Sequence, residues 1–216
     1  MIDDPEAFIR ANTALQPVPH APEISLYVAD EITPIWKMTD VALGGLGMAP
    51  PFWAFAWAGG QAIARYVLDN PQFVRGKAVL DFASGSGLCA IAAMKAGAAR
   101  TLANDIDPFC RAAIAVNAQA NGVLVESVIA DLLDRPLPAV DVILAGDICY
   151  EKTVTERVLT WLKAAHAAGV TVLLGDPGRT YFPREGLTHL AQYEVQTTRE
   201  LEDFEIKKTG VWTLPA

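Results

Sequence analysis

The chain is poor in the residues that build disulfide scaffolds, metal centres or nucleic-acid interfaces. Its 216 residues include three cysteines, Cys89, Cys110 and Cys149, an odd and scattered set with no Cys-x-x-Cys pair. That argues against a disulfide framework or a zinc site and fits a reducing compartment. The three histidines, His20, His166 and His189, show no metal-ligand spacing, so no metal is expected. Positive charge is scarce as well. Seventeen Lys and Arg against 25 Asp and Glu leave a formal net charge of -8. Nucleic acid needs a basic face and is not an expected partner, whereas a Lys-bearing protein segment is compatible. No apolar run is long and unbroken enough to span a bilayer, so no membrane association is expected. Residues Met1 to Glu6 are acidic, without a basic start or an apolar stretch, which disfavours a secretory or transit leader. The expected location is cytoplasmic. Internal repeats and low-complexity tracts are missing too.

What is present is a core-forming composition, 52% hydrophobic and 19% charged. Residues 1–51 read as an N-terminal extension. It comprises a helix from Pro5 to about Thr13, a proline-rich connector at Gln16–Pro22, a short strand at Glu23–Ala29 and a glycine-rich loop at Gly44–Pro51. Residues 52–216 read as one domain. A helix is predicted over Phe52–Asn70. Strands follow at Ala78–Phe82, Thr101–Asn104, Glu126–Ile129, Val140–Gly146 and Val170–Gly175, with helices between them at Leu88–Ala96, Pro108–Asn121 and Thr153–Ala168. Such alternation predicts an α/β fold, a Rossmann-like parallel sheet covered on both faces. A short helix around Glu185–Ala191 precedes two strand-like runs, Tyr193–Glu200 and Phe204–Thr213. Joined by a tight acidic turn, these make a C-terminal antiparallel pair and bring the sheet to seven strands.

The densest motif is Val79-Leu80-Asp81-Phe82-Ala83-Ser84-Gly85-Ser86-Gly87, a buried strand running into a small-residue turn that opens a helix. Small residues there let backbone approach a nucleoside. Asp105 follows about 20 residues past the turn, the spacing at which an acid accepts hydrogen bonds from ribose hydroxyls. Asp81 inside the motif would repel a pyrophosphate but suits the cationic amino group and sulfonium of S-adenosylmethionine, directly or through water. The spacing Ala83-x-Gly85-x-Gly87 also lacks the ending that seats a pyrophosphate on the helix. A nicotinamide oxidoreductase is therefore disfavoured. Asp131 is placed either to meet the adenine amino group, with Leu132 packing on the ring, or as a plain turn acid. Gly146 ends the fourth parallel strand and permits close approach, while Asp147 and Tyr150 can orient an incoming amine. Trp57 precedes Ala58-Gly59-Gly60 and can flank the cofactor. Phe52, Trp53 and Phe55 belong either to the core or to the acceptor slot.

These residues resemble the seven-β-strand S-adenosylmethionine methyltransferases. The match narrows through Phe52-Trp53-Ala54-Phe55-Ala56-Trp57-Ala58-Gly59-Gly60-Gln61-Ala62, Leu102-Ala103-Asn104-Asp105-Ile106-Asp107-Pro108 and Leu174-Gly175-Asp176-Pro177-Gly178-Arg179. In combination they resemble the electron transfer flavoprotein beta-subunit lysine methyltransferases from about Glu23 onward. Ribosomal-protein lysine methyltransferases share the Asp81-to-Gly122 region but usually carry Asn where this chain has Asp147. The resemblance implies methylation of lysines on the flavoprotein beta subunit with S-adenosyl-L-methionine as methyl donor. The cofactor contacts expected are Trp57, Asp81, Ala83, Ser84, Gly85, Gly87, Asp105, Ile106, Asp131, Leu132 and Gly146. Asp147 and Tyr150 are the expected catalytic groups, and Trp53, Tyr150 and Glu151 the expected substrate contacts. One departure is Ala83, where glycine is usual; alanine is tolerable there only with a negative φ.

Overall fold

The computed structural model describes residues 2–29, 35, 44, 45, 49–183, 185–197 and 206–215. Helix α1 (Pro5–Asn12) is capped by the Asp4 side chain, which accepts the Ala7 N–H at 3.0 Å. Strands β1 (Ala14–Val18) and β2 (Ala21–Val28) then pair as an antiparallel hairpin. The proline-rich segment is thus not an irregular connector. A two-stranded hairpin is all edge, so Pro17 and Pro22 can sit where no ladder N–H is needed, and the register shifts at Pro17/Val18. Ile24 and Leu26 of β2 are fully buried in the same cluster as Ile63 and Ile91, so the hairpin shares the main core.

The helix predicted over Phe52–Asn70 is shorter. Phe52–Ala54 form a 3-10 turn after Pro50 and Pro51, and helix α2 spans Ala58–Asp69. The parallel part matches the sequence reading closely: β3 (Ala78–Phe82), α3 (Leu88–Lys95), β4 (Arg100–Asp105), α4 (Pro108–Ala120), β5 (Glu126–Ile129), β6 (Val142–Gly146), α5 (Lys152–Ala167) and β7 (Thr171–Asp176). The helix expected around Glu185–Ala191 does not form. Its residues lead into β8 (Thr188–Gln196), which pairs antiparallel with β9 (Ile206–Thr213). Cross-strand packing overrides a weak local helical preference there. The acidic turn expected between these strands falls at 198–205, outside the described residues, as does 46–48 of the glycine-rich loop.

The main sheet has seven strands in the order β5-β4-β3-β6-β7-β9-β8, parallel except for β9. Alternate side chains of the central strands enter opposite layers. Val79, Leu144 and Leu173 pack with α2 and α3, whereas Leu80, Ile143 and Leu174 pack with Val158 and Leu162 of α5. Strand order reverses between β3 and β6, which puts a crevice at their carboxyl ends. Among the described residues no helix is long and apolar enough to cross a membrane.

Candidate cofactor and acceptor site

The crevice is framed by the turn that follows β3. Ala83, Gly85 and Gly87 all have left-handed backbone, with φ of 54°, 53° and 87°. The negative φ required of Ala83 is therefore not adopted. Its Cβ is strained against the adjacent carbonyl, a penalty of about 1 kcal/mol. Hydrogen bonds hold the turn in this shape. Ser84 N–H donates to the Asn104 carbonyl at 2.9 Å, and Gly87 N–H to the Ser84 carbonyl at 3.0 Å. Below the turn Asp81 is 2% exposed, and its Oδ2 accepts the Ser84 hydroxyl at 2.6 Å and the Ala90 N–H at 2.9 Å. Burial pushes the Asp81 carboxyl up to about 7, against the pull of these two hydrogen bonds. Asp81 thus ties the turn to the first turn of α3.

Asp105 ends β4 and closes the turn from the other side. Its Oδ2 accepts Gly85 N–H at 2.8 Å, and its Oδ1 accepts Ile106 N–H at 2.8 Å and Asp107 N–H at 3.1 Å. Ile106, beside it, is 73% exposed, an uncovered aliphatic surface at the rim. Past the end of β5, Asp131 is exposed; its Oδ1 accepts Leu133 N–H and its Oδ2 lies 3.7 Å from Arg157. Leu132 is buried in the layer that holds Leu80 and Phe82, so little of it is left to face a ring.

Glycines set the back wall. Gly59 and Gly60 open α2 directly against the ends of β6 and β7. A Cβ on Gly59 would overlap the Gly175 carbonyl, one on Gly175 would overlap the Gly59 carbonyl, and one on Gly146 would lie 2.7 Å from Gly60 N. The close approach at Gly146 is therefore to another backbone segment. It draws Trp57, the residue before α2, to the crevice, where its Nε1–H donates to the Phe52 carbonyl at 2.8 Å.

Asp147 follows β6 with φ of 57°. Its Oδ2 accepts Gly60 N–H at 3.1 Å, and its Oδ1 accepts the Arg179 Nη2–H at 2.6 Å and Nε–H at 3.1 Å. The Arg179 guanidinium also lies over the Trp57 ring, 5.7 Å from its centroid. Asp176 at the end of β7 accepts the backbone N–H groups of Gly178 and Arg179 on Oδ1, each at 2.7 Å. Among the described residues its Oδ2 is buried without a hydrogen-bond partner, and burial pushes its carboxyl up to about 6. Tyr150 stands 61% exposed at the rim, its ring 6.3 Å from that of Phe52. Glu151 caps α5, accepting Thr153 N–H at 3.2 Å. Trp53 is not at the slot: it is 1% exposed and stacks on Phe109, because the 3-10 turn points it inward. Arg179 and Asp176 had no role assigned from sequence. For Asp176 the available signal was an acid at the end of a parallel strand, the same signal that marks Asp105 and Asp147; no local pattern marks Arg179.

A nucleoside with a cationic tail fits this frame. A carboxylate offers about four acceptor positions, and the three N–H groups on Asp105 leave it capacity for about one more donor, such as a ribose hydroxyl. Exposed Ile106 offers apolar surface to a base.

The family profile described as "Ribosomal protein L11 methyltransferase (PrmA)" matches residues 67–151. A solved ribosomal protein L11 methylase from Lactobacillus delbrueckii subsp. bulgaricus is similar in fold, with a TM-score of 0.53 at 19% identity over 75% of this chain and 81% of that one. The curated relatives are closer in sequence. The rat electron transfer flavoprotein beta subunit lysine methyltransferase is 39% identical over 168 residues, 75% of this chain and 66% of the rat protein. The Xenopus laevis protein of the same name is 35% identical over 215 residues, 97% of this chain and 86% of its own length. With that identity carried through nearly the whole chain, from the hairpin to the last strand, this protein belongs to the electron transfer flavoprotein beta subunit lysine methyltransferase family.

Proposed function

We propose that the chain transfers a methyl group from S-adenosyl-L-methionine to lysine side chains of the beta subunit of electron transfer flavoprotein. The observation that carries this reading is the clamp of Asp105 on the Gly85 turn, with the exposed Tyr150 ring within range of the Asp105 charge. Asp105 would hold the ribose, Ile106 the adenine face, and the turn backbone the amino-acid end, with Asp81 bracing that turn from below. When bound, the cofactor supplies a methyl already activated by its sulfonium. The chain's own task is then to deliver a neutral amine in line, so most of the acceleration comes from positioning. A lysine arrives protonated, with a pKa of about 10.4. A partly desolvated aromatic rim of Trp57, Phe52 and Tyr150 favours the neutral amine, and the same rings can hold the methylated ammonium by cation–π contact. Asp147 acts as a docking and orienting group. The net charge of -8 suits a Lys-bearing partner segment, and the buried free thiols fit a reducing location such as the cytoplasm.

A methyl-transfer assay with tritiated S-adenosylmethionine tests the reading. Purified flavoprotein beta subunit should take up label on lysine, and Asp147→Ala should retain cofactor affinity but lose turnover. Ribosomal protein L11, tested in parallel because of the profile match over residues 67–151, should stay unlabelled. Label on L11 alone would replace the proposed substrate.

A further inference from the structure

Outside the residues that frame the cofactor, one group is held more firmly than a surface arginine needs to be. Arg179 is fixed at three points. Its backbone N–H donates to Asp176, its guanidinium lies over Trp57, and two of its N–H groups reach one oxygen of Asp147. The pair is largely shielded, with side chains 19% and 10% exposed, so solvent screens it far less than a surface ion pair. Asp147 also occupies a left-handed backbone position, which orients its carboxylate toward Gly60 and Arg179 rather than outward. That arrangement meets a difficulty of amine chemistry. A carboxylate beside a lysine stabilises the ammonium, and the ammonium has no lone pair with which to attack a methyl group.

Resting on the reaction proposed above, we propose that Arg179 is a positioning residue: it holds Asp147 as a neutralised pair, so that the acceptor lysine is oriented by the carboxylate without being locked in its charged form. Removing the positive charge of Arg179 from beside Asp147 would favour the protonated lysine. Removing the negative charge of Asp147 would do the opposite. Among the described residues, the other ionisable groups facing the pair are Asp176 from β7, Cys149 after β6 and Cys89 from α3. Burial pushes the thiols of Cys89 and Cys149 upward, so both remain neutral through the working range. Asp176 carries its charge above about 6, and that charge is common to all variants compared.

The test is kcat against pH, from pH 6.5 to 10, with saturating flavoprotein beta subunit and S-adenosylmethionine. Under saturation the acid limb reports groups in the bound complex rather than free lysine. Wild type, Arg179→Gln, Arg179→Lys and Asp147→Asn are compared, each first titrated with S-adenosylhomocysteine to establish an intact cofactor site. For Arg179→Gln the acid limb should move up by about one pH unit, a roughly tenfold loss at pH 7 that disappears near pH 10. Arg179→Lys should restore the wild-type limb, and the residual rate of Asp147→Asn should show a limb moved down. A loss in Arg179→Gln that is equal at every pH, or an unmoved limb in Asp147→Asn, overturns the proposal while leaving the reaction standing. If Arg179→Gln does not fold, the direction of the Asp147→Asn shift decides by the same criterion. Wild type that binds S-adenosylhomocysteine yet methylates no lysine overturns the reaction, and the proposal with it.

Discussion

Replacing Asp81 by asparagine should make stability less dependent on pH, by an amount the structure sets. Asp81 is 2% exposed, and its carboxyl titrates at about 7 in the folded chain against 3.8 as the ordinary value. Between those two values the folded chain holds a proton that the unfolded chain has released. Unfolding is then accompanied by proton loss, so stability falls as pH rises through the window and levels off above pH 7. A displacement of about three units at 1.36 kcal/mol each bounds the loss at about 4 kcal/mol. Asparagine removes the titration while its amide oxygen can still accept the Ser84 hydroxyl and Ala90 N–H. Its NH2 group introduces an offset of its own, but that offset is the same at every pH. Asp176 titrates in the same direction in both proteins and cancels in the difference. The informative quantity is therefore the gap between Asp81→Asn and wild type, measured by urea unfolding at pH 4.5, 6, 7 and 8. It should shift in favour of the variant by roughly 2–4 kcal/mol across that range, with unchanged m-values. A gap that stays constant from pH 4.5 to 8 would refute the argument that burial governs this carboxyl.

Four further outcomes follow from named contacts. Ala83→Gly relieves a left-handed alanine and should raise stability by about 1 kcal/mol, read as a thermal midpoint higher by roughly 2–4 °C. Gly175→Ala drives a Cβ into the Gly59 carbonyl and should destabilise by about 3 kcal/mol, seen as an earlier urea midpoint. Asn117 is fully buried, accepts Tyr27 N–H at 2.7 Å and donates to the Ser86 carbonyl at 2.8 Å. Asn117→Leu should cost about 2–4 kcal/mol and increase amide exchange at Tyr27, because both partners lose their bond. Asp105→Ala removes the expected ribose acceptor and the clamp on Gly85 N–H. Calorimetric titration with S-adenosylhomocysteine should show affinity lower by about tenfold to a hundredfold, and unchanged affinity would sink the ribose assignment.

The parallel strands were legible because a strand buried on both faces writes itself as a short apolar run, and Leu80-Asp81-Phe82 or Val142-Ile143-Leu144-Ala145 can be little else. The same reasoning failed at the edges. Gln16–Pro22 reads as a breaker because proline forbids a central strand, yet β1 has a single partner and tolerates it. Glu185–Ala191 carries a faint helical pattern, but β9 pairs with its second half. In the crevice, Asp105 was legible from its distance to the glycine turn, since the contact joins the end of β4 to the turn just past β3, its neighbour in the sheet. The Asp147–Arg179 pair spans 32 residues and crosses from the end of β6 to the loop after β7. No periodicity encodes such a meeting. What does encode it is the set of glycines at 59, 146 and 175, whose missing side chains let α2 descend onto the two strand ends. Glycines that look like loop punctuation one at a time are, taken together, the reason Trp57, Asp147 and Arg179 share one wall. It follows that Gly59→Ala should impair turnover beyond its effect on stability. Turnover of that variant, measured well below its unfolding midpoint, should stay depressed, and full recovery there would detach the glycine packing from the site.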